Sequence, residues 1–150
     1  MGEFGPAVAA VGVAVWLITL STYDFRHRRL PNMLTVPGAV VILSAAAVTG
    51  HGGAAALGAA ALSAIYAAVH LIAPAAMGAG DVKLAVGLGG LTGVFGPDVW
   101  VLSAAGAPLL TAALALGLRA FGAGPTVPHG PSMCLSSAAV LTLVLHSQGL

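Results

Sequence analysis

Long uncharged apolar runs, separated by short stretches that carry charge or helix-breaking residues, set the pattern of this chain. Phe4 to Tyr23 contains no charged residue and is about long enough to cross a ~30 Å hydrocarbon core as a helix. Pro6 suits a first-turn position. Arg26, Arg28 and Arg29 follow, and Pro31-Asn32 forces a loop or a new helix start. From Leu30 to Gly80 the chain again carries no charge, enough at ~20 residues per crossing for two spans and a turn. Thr49-Gly50-His51-Gly52-Gly53 supplies the turn, which divides the stretch into helices near Leu34 to Val48 and Ala54 to Ala73. Pro74, Gly78 and Gly80 interrupt the second of these. Leu84 to Gly96 makes a fourth span and Val99 to Leu118 a fifth. After a loop rich in Gly and Pro from Gly122 to Pro131, Ser132 to about His146 makes a short sixth.

Composition agrees with the pattern. With 59% hydrophobic and 6% charged residues and a mean hydropathy of +1.03, the chain has too little polar surface for a soluble domain and reads as an integral membrane protein. Only Glu3 precedes Asp24 among charged residues, so the first run lacks the basic start of a cleaved signal peptide and is expected to be retained. A net charge of +1 gives no reason to expect a nucleic-acid partner. The single cysteine, Cys134, excludes an internal disulfide and a Cys-rich zinc site and is expected in the core. No repeat or linker divides the chain, so residues 1–150 are expected to form one all-α membrane domain of six transmembrane helices.

The distribution of charge adds an orientation. With the N-terminus outside, the loops that hold Arg26, Arg28 and Arg29, then Lys83, then Arg119 all fall on the cytoplasmic side, as the positive-inside rule requires. The three arginines would also anchor the chain to anionic lipid of the bilayer. Glu3, Asp98 and the Gly50 to Gly53 turn fall outside. Asp24 and Asp81 therefore share one face. The rise from Asp81 to Pro97, ~24 Å at 1.5 Å per residue, falls short of a ~30 Å core and sets Asp81 slightly below the cytoplasmic surface. The same arithmetic from Pro6, ~27 Å, sets Asp24 at or just inside it. Gly89 and Gly93 have the spacing that lets helices approach closely, which favours a tight bundle over a dedicated dimer face.

Asp81 stands in Gly78-Ala79-Gly80-Asp81-Val82-Lys83, and an ionisable side chain at a membrane is costly enough to mark a functional site. Two carboxyls that share a site cannot both ionise cheaply, so one keeps its proton while the other acts as base on a water. That is the logic of an aspartic peptidase, and it needs neither metal nor cofactor. Gly78 and Gly80 would let an extended substrate approach the backbone. If the fourth helix begins at Asp81, its positive dipole end lies beside that carboxyl. Pro31-Asn32 and Pro128 to Pro131 are expected to shape the rim, and Asp98 to be a loop acid. His70, inside the third span, is expected to be structural. His27, His51, His129 and His146 are scattered, which argues against a metal cluster.

At these residues the chain resembles a known family. Gly-Ala-Gly-Asp at 78–81 is similar to the Gly-x-Gly-Asp motif of the type IV prepilin peptidases. The segment Asp24-Phe25-Arg26-His27-Arg28-Arg29-Leu30-Pro31-Asn32 resembles the stretch around that family's first catalytic aspartate, and Val127 to Met133 resembles a third segment of the form Ile-Pro-x-Gly-Pro. The resemblance implies a membrane endopeptidase that removes the short leader from prepilins or pseudopilins at the cytoplasmic face of the inner membrane. Asp24 and Asp81 match its catalytic pair, Gly78 and Gly80 its motif glycines, and Lys83 a commonly basic position. Longer relatives carry a zinc-binding Cys-x-x-Cys domain associated with N-methylation. This chain has no such motif and no room for the domain, so it resembles the short form and methylation is not expected. Another reading of the two acids is a small ion- or proton-coupled transporter or channel subunit.

Overall fold

The computed structural model describes residues 4–124 and 126–149, and among these it is entirely helical. Six helices follow one another: α1 Phe4–His27, α2 Asn32–Val48, α3 Gly52–Ile72, α4 Ala79–Gly93, α5 Pro97–Ala120 and α6 His129–Ser147. The number and order of elements match the sequence expectation. Helices α1, α3, α5 and α6 are long and apolar enough to cross a membrane, whereas α2 has 17 residues and α4 has 15. Glu3, which the sequence reading set outside, lies beyond the described residues.

The boundaries move where polar groups cap the helix ends. Helix α1 continues past Tyr23 through Asp24, then stops at Arg28, whose φ of 49° lies in the left-handed region. Helix α4 begins at Ala79, not at Asp81 or Leu84, because Gly78 is extended and the Asp81 side chain reaches back to its amide. Helix α6 starts at His129, three residues before Ser132. Pro131 does not prevent this, since a first-turn residue has no carbonyl to donate to and a missing N–H there costs nothing. Asp98 lies inside the first turn of α5, one residue after Pro97. Pro37 and Pro108 sit inside α2 and α5, as helices packed in a membrane bundle tolerate.

Helix α4 is the centre of the bundle. It packs against α2, α3, α5 and α6, and most of its length is buried. Glycine makes that possible: Gly89 and Gly93 lie directly against Gly58 and Ala54 of α3, backbone to backbone. The spacing noted in the sequence thus serves close packing inside the chain. On the opposite flank the Trp16 indole fills the space left by Gly38 and Gly87 and donates to Leu34 O at 2.9 Å. Trp100 of α5 donates to Gly58 O at 3.0 Å, tying α5 to the α3–α4 pair. Leu20, Leu84, Leu88 and Met133 fill the middle and are fully enclosed, and Cys134 is buried beside them as a free thiol.

The outward faces are apolar as well. Val8, Ile18, Leu57, Leu109 and Leu143 are all exposed, a surface suited to lipid and not to water. His70 lies in the last turn of α3, and its Nδ1, 2.7 Å from Met77 O, links that turn to the α3–α4 connection.

A Cβ at Gly58 would collide with the Gly89 carbonyl, a backbone group that cannot rotate away. Gly58→Ala is expected to destabilise the protein by about 1–3 kcal/mol. Gly117→Ala, where a methyl meets nothing, is expected to be neutral or slightly stabilising. Thermal unfolding of both variants in the same detergent checks the contrast.

Candidate active site

Two buried carboxylates come together at one end of the bundle. Asp24 projects from the last turn of α1 and is 6% exposed, and Asp81 projects from the first turn of α4 and is 9% exposed. Both line the same two small cavities, of about 190 and 290 Å³. Burying a carboxylate is expensive unless donors replace its water, and each of these lies against the backbone of a helix start. The Gly78 amide, at the N-cap of α4, donates to Asp81 Oδ2 at 3.2 Å. Gly130, in the first turn of α6, has its backbone packed against the Asp24 carboxylate. Two helix N-termini, each the positive end of a helix dipole, therefore face the pair.

The glycines around the pair each have a geometric reason. A side chain at Gly130 would collide with the Asp24 carboxylate, so the α6 backbone can reach that carboxylate only there. At Gly80 a Cβ would stand 3.0 Å from the Leu30 Cβ. The free space beside Gly80 is thus occupied by the α1–α2 connection in this structure. Gly78 and Gly80 still line the larger cavity together with Arg28, Arg29 and the two carboxylates.

Arg28 closes the rim. Its left-handed backbone turns the chain out of α1, and its guanidinium donates to Thr126 Oγ1 at 2.7 Å and to Thr126 O at 3.4 Å. This ties the α1–α2 connection to the α5–α6 connection across the cavity mouth.

Pro31, Asn32 and Lys83 stand beside the cavities and do not line either of them. Pro31 is the N-cap of α2, its carbonyl accepting from the amides of Leu34 and Thr35. The Lys83 ammonium donates to Asn32 Oδ1 at 2.7 Å, an exposed link between the starts of α4 and α2. Pro128 and His129, within the 128–131 segment expected at the rim, line the smaller cavity. The approach of Gly130 to Asp24 has no local signal beyond the likeness of Val127 to Met133 to a family segment. His129 is not isolated, contrary to what the scatter of the histidines suggests: Tyr66 bonds to it across 63 residues of chain, a pairing that leaves no trace in local spacing.

Chemically, two carboxyls in one small cavity can divide the roles of acid and base towards a water or a polar bond admitted between them. The transporter reading gains no support from the comparisons. Searches against curated proteins and against solved structures give no match. The model of the type IV leader peptidase family matches residues 11–146. That match spans both carboxylates and all six helices apart from the first two turns of α1 and the last residue of α6, so the chain belongs to the type IV leader peptidase family.

Proposed function

We propose that this protein is a six-span aspartic endopeptidase that removes the leader from prepilins or pseudopilins, with Asp24 and Asp81 as its acid–base pair. One observation carries the reading: in a member of a leader peptidase family, two carboxylates distant in sequence are buried in one cavity, each against the start of a different helix. Residues 1–150 act as a single membrane domain. The N-terminus lies outside, and the end that holds Asp24, Asp81 and the arginines lies at the cytoplasmic face of the inner membrane.

In this mechanism one carboxyl carries the proton shared by the pair and the other is ionised. The ionised carboxylate takes a proton from water as the water oxygen bonds to the scissile carbonyl carbon, while the protonated partner gives its proton to the carbonyl oxygen. The tetrahedral diol collapses when the first carboxyl passes its proton to the amide nitrogen and the C–N bond breaks. The diol hydroxyl returns its proton to the second carboxylate, so the pair ends as it began. Gly78 and Gly80 provide the backbone wall along which an extended leader would lie, once Leu30 moves aside. Lys83, Asn32 and Pro31 shape its approach by holding the starts of α2 and α4 in register.

Asp24→Asn and Asp81→Asn are each expected to abolish leader removal when the chain is co-expressed with a prepilin-type substrate, with membrane insertion unchanged. Processing by either variant, seen as a mobility shift of the substrate, would refute the two-aspartate mechanism.

Gly130→Ala places a methyl against the Asp24 carboxylate and is expected to lower the cleavage rate by ~100-fold, the scale of effect that follows a misplaced reacting group. A rate within twofold of the parent would show that the α6 start does not set the Asp24 geometry.

Orientation is tested separately. His51→Cys, at the α2–α3 turn, is expected to react with a membrane-impermeant maleimide in intact cells. Ala123→Cys, after α5, is expected to react only once the membrane is permeabilised. The reverse pattern would invert the topology.

A further inference from the structure

His129 is the first residue of α6, and its ring is held from two sides by hydroxyl groups of two other helices. Its Nε2 lies 3.0 Å from the Tyr66 hydroxyl of α3, and its Nδ1 lies 2.8 Å from Thr111 Oγ1 of α5. Tyr66 is buried, Thr111 and His129 are half-buried, and the two rings lean against each other with centroids 5.6 Å apart. Thr111 also contacts the carbonyl of Ala107 at 3.0 Å. A carbonyl can only accept, so the single threonine O–H is spent there and the oxygen is left to accept from His129. The ring proton must then reside on Nδ1. A neutral ring keeps a lone pair on Nε2 and accepts the Tyr66 O–H.

Every group in this chain of hydrogen bonds has a fixed direction: Tyr66 to His129, His129 to Thr111, Thr111 to Ala107. The clamp fastens the first residue of α6, and the next residue, Gly130, packs against the Asp24 carboxylate. His129 also forms part of the wall of the smaller cavity shared by Asp24 and Asp81. We propose that His129 is a positioning residue: as a neutral Nδ1–H imidazole clamped by Tyr66 and Thr111, it fixes the start of α6 and, through the Gly130 backbone packed against the carboxylate, positions Asp24 for catalysis. The proposal rests on the aspartic-peptidase reading of the site. In that reading His129 moves no proton, because both ring nitrogens are already committed to hydroxyl partners.

The geometry separates this role from two others. A proton-shuttling histidine would need a nitrogen free towards the carboxylates. A merely space-filling one would tolerate loss of either hydroxyl partner, since Tyr66→Phe and Thr111→Val keep shape and remove only the hydrogen bonds.

The test uses the full chain in lipid nanodiscs and a purified substrate made of a prepilin-type leader joined to an apolar helix. Tyr66→Phe and Thr111→Val are each expected to lower kcat about tenfold, the consequence of one lost hydrogen bond, with KM within about twofold of the parent. His129→Gln, whose amide oxygen can still accept from Tyr66, is expected to retain more activity than His129→Ala. Tyr66→Phe added to His129→Ala is expected to cause no further loss, as groups acting through one link are not additive. Nitrogen-15 NMR of histidine-labelled protein, with the His129 signal identified by its absence in His129→Gln, is expected to show the neutral Nδ1–H tautomer. Parent-like kcat in Tyr66→Phe and Thr111→Val, or an Nε2–H tautomer, overturns the clamp. Asp24→Asn and Asp81→Asn are measured alongside: if they cleave, the peptidase reading of the pair falls. If they are inactive while Tyr66→Phe and Thr111→Val keep the parent kcat, only the clamp falls.

Discussion

Holding two carboxylates out of water is the constraint around which the rest of this molecule is arranged. Asp24 and Asp81 are both buried, and a carboxylate without solvent must find donors in the protein or lose its charge. Side-chain donors are scarce in a chain with five Lys and Arg residues in total. The backbone at helix starts meets them instead: the Gly78 amide at the start of α4 donates to Asp81, and Gly130 at the start of α6 packs against Asp24. Because both starts belong to rigid helices, the positions of the carboxylates follow from how the helices pack.

Packing in turn depends on glycine. The apolar driving force that brings helices together in water is weak when lipid tails surround them, so close backbone approach has to provide the attraction. Helix α4, short and rich in glycine, lets α3 come within backbone contact at Gly58 and lets Trp16 settle across Gly87. With α4 fixed on several sides, its first turn is fixed as well. That first turn carries Asp81 and the Gly78 cap. The opposite half of the site is fixed by different means, through polar links between loops and helix ends: Arg28 to Thr126, and His129 to Tyr66 and Thr111. The bundle interior is thus held by shape, while its polar end is held by hydrogen bonds.

Much of this was legible in the order of residues. Each helix needed an uncharged run of sufficient length, and each break needed proline, glycine or charge, so the six elements could be read directly. Asp24 and Asp81 stood out because charge is rare here and because each sits in a recognisable motif. Helix ends were less legible. The starts of α4 and α6 each lie a few residues earlier than the apolar pattern suggests, because a cap is made by one side chain or one extended residue and not by hydropathy. Lys83 and Asn32 were read as neighbours of the site, and they bond to each other beside the cavities. The room expected for substrate beside Gly80 is filled by Leu30, a contact between segments fifty residues apart that no local pattern encodes.

By itself, then, the sequence determined the apolar character of the chain, its six helices and the two acids that stand out in it, because hydropathy, helix breaking and the cost of isolated charge are local properties. Only the tertiary structure decided what surrounds those acids. Gly130 came to lie against Asp24, and Tyr66 and Thr111 became partners of His129, through the crossing of α1, α3, α5 and α6 at one end of the bundle. Hydrogen bonds between distant helices depend on distance and direction in space, and neither is set until α4 has drawn its neighbours into contact.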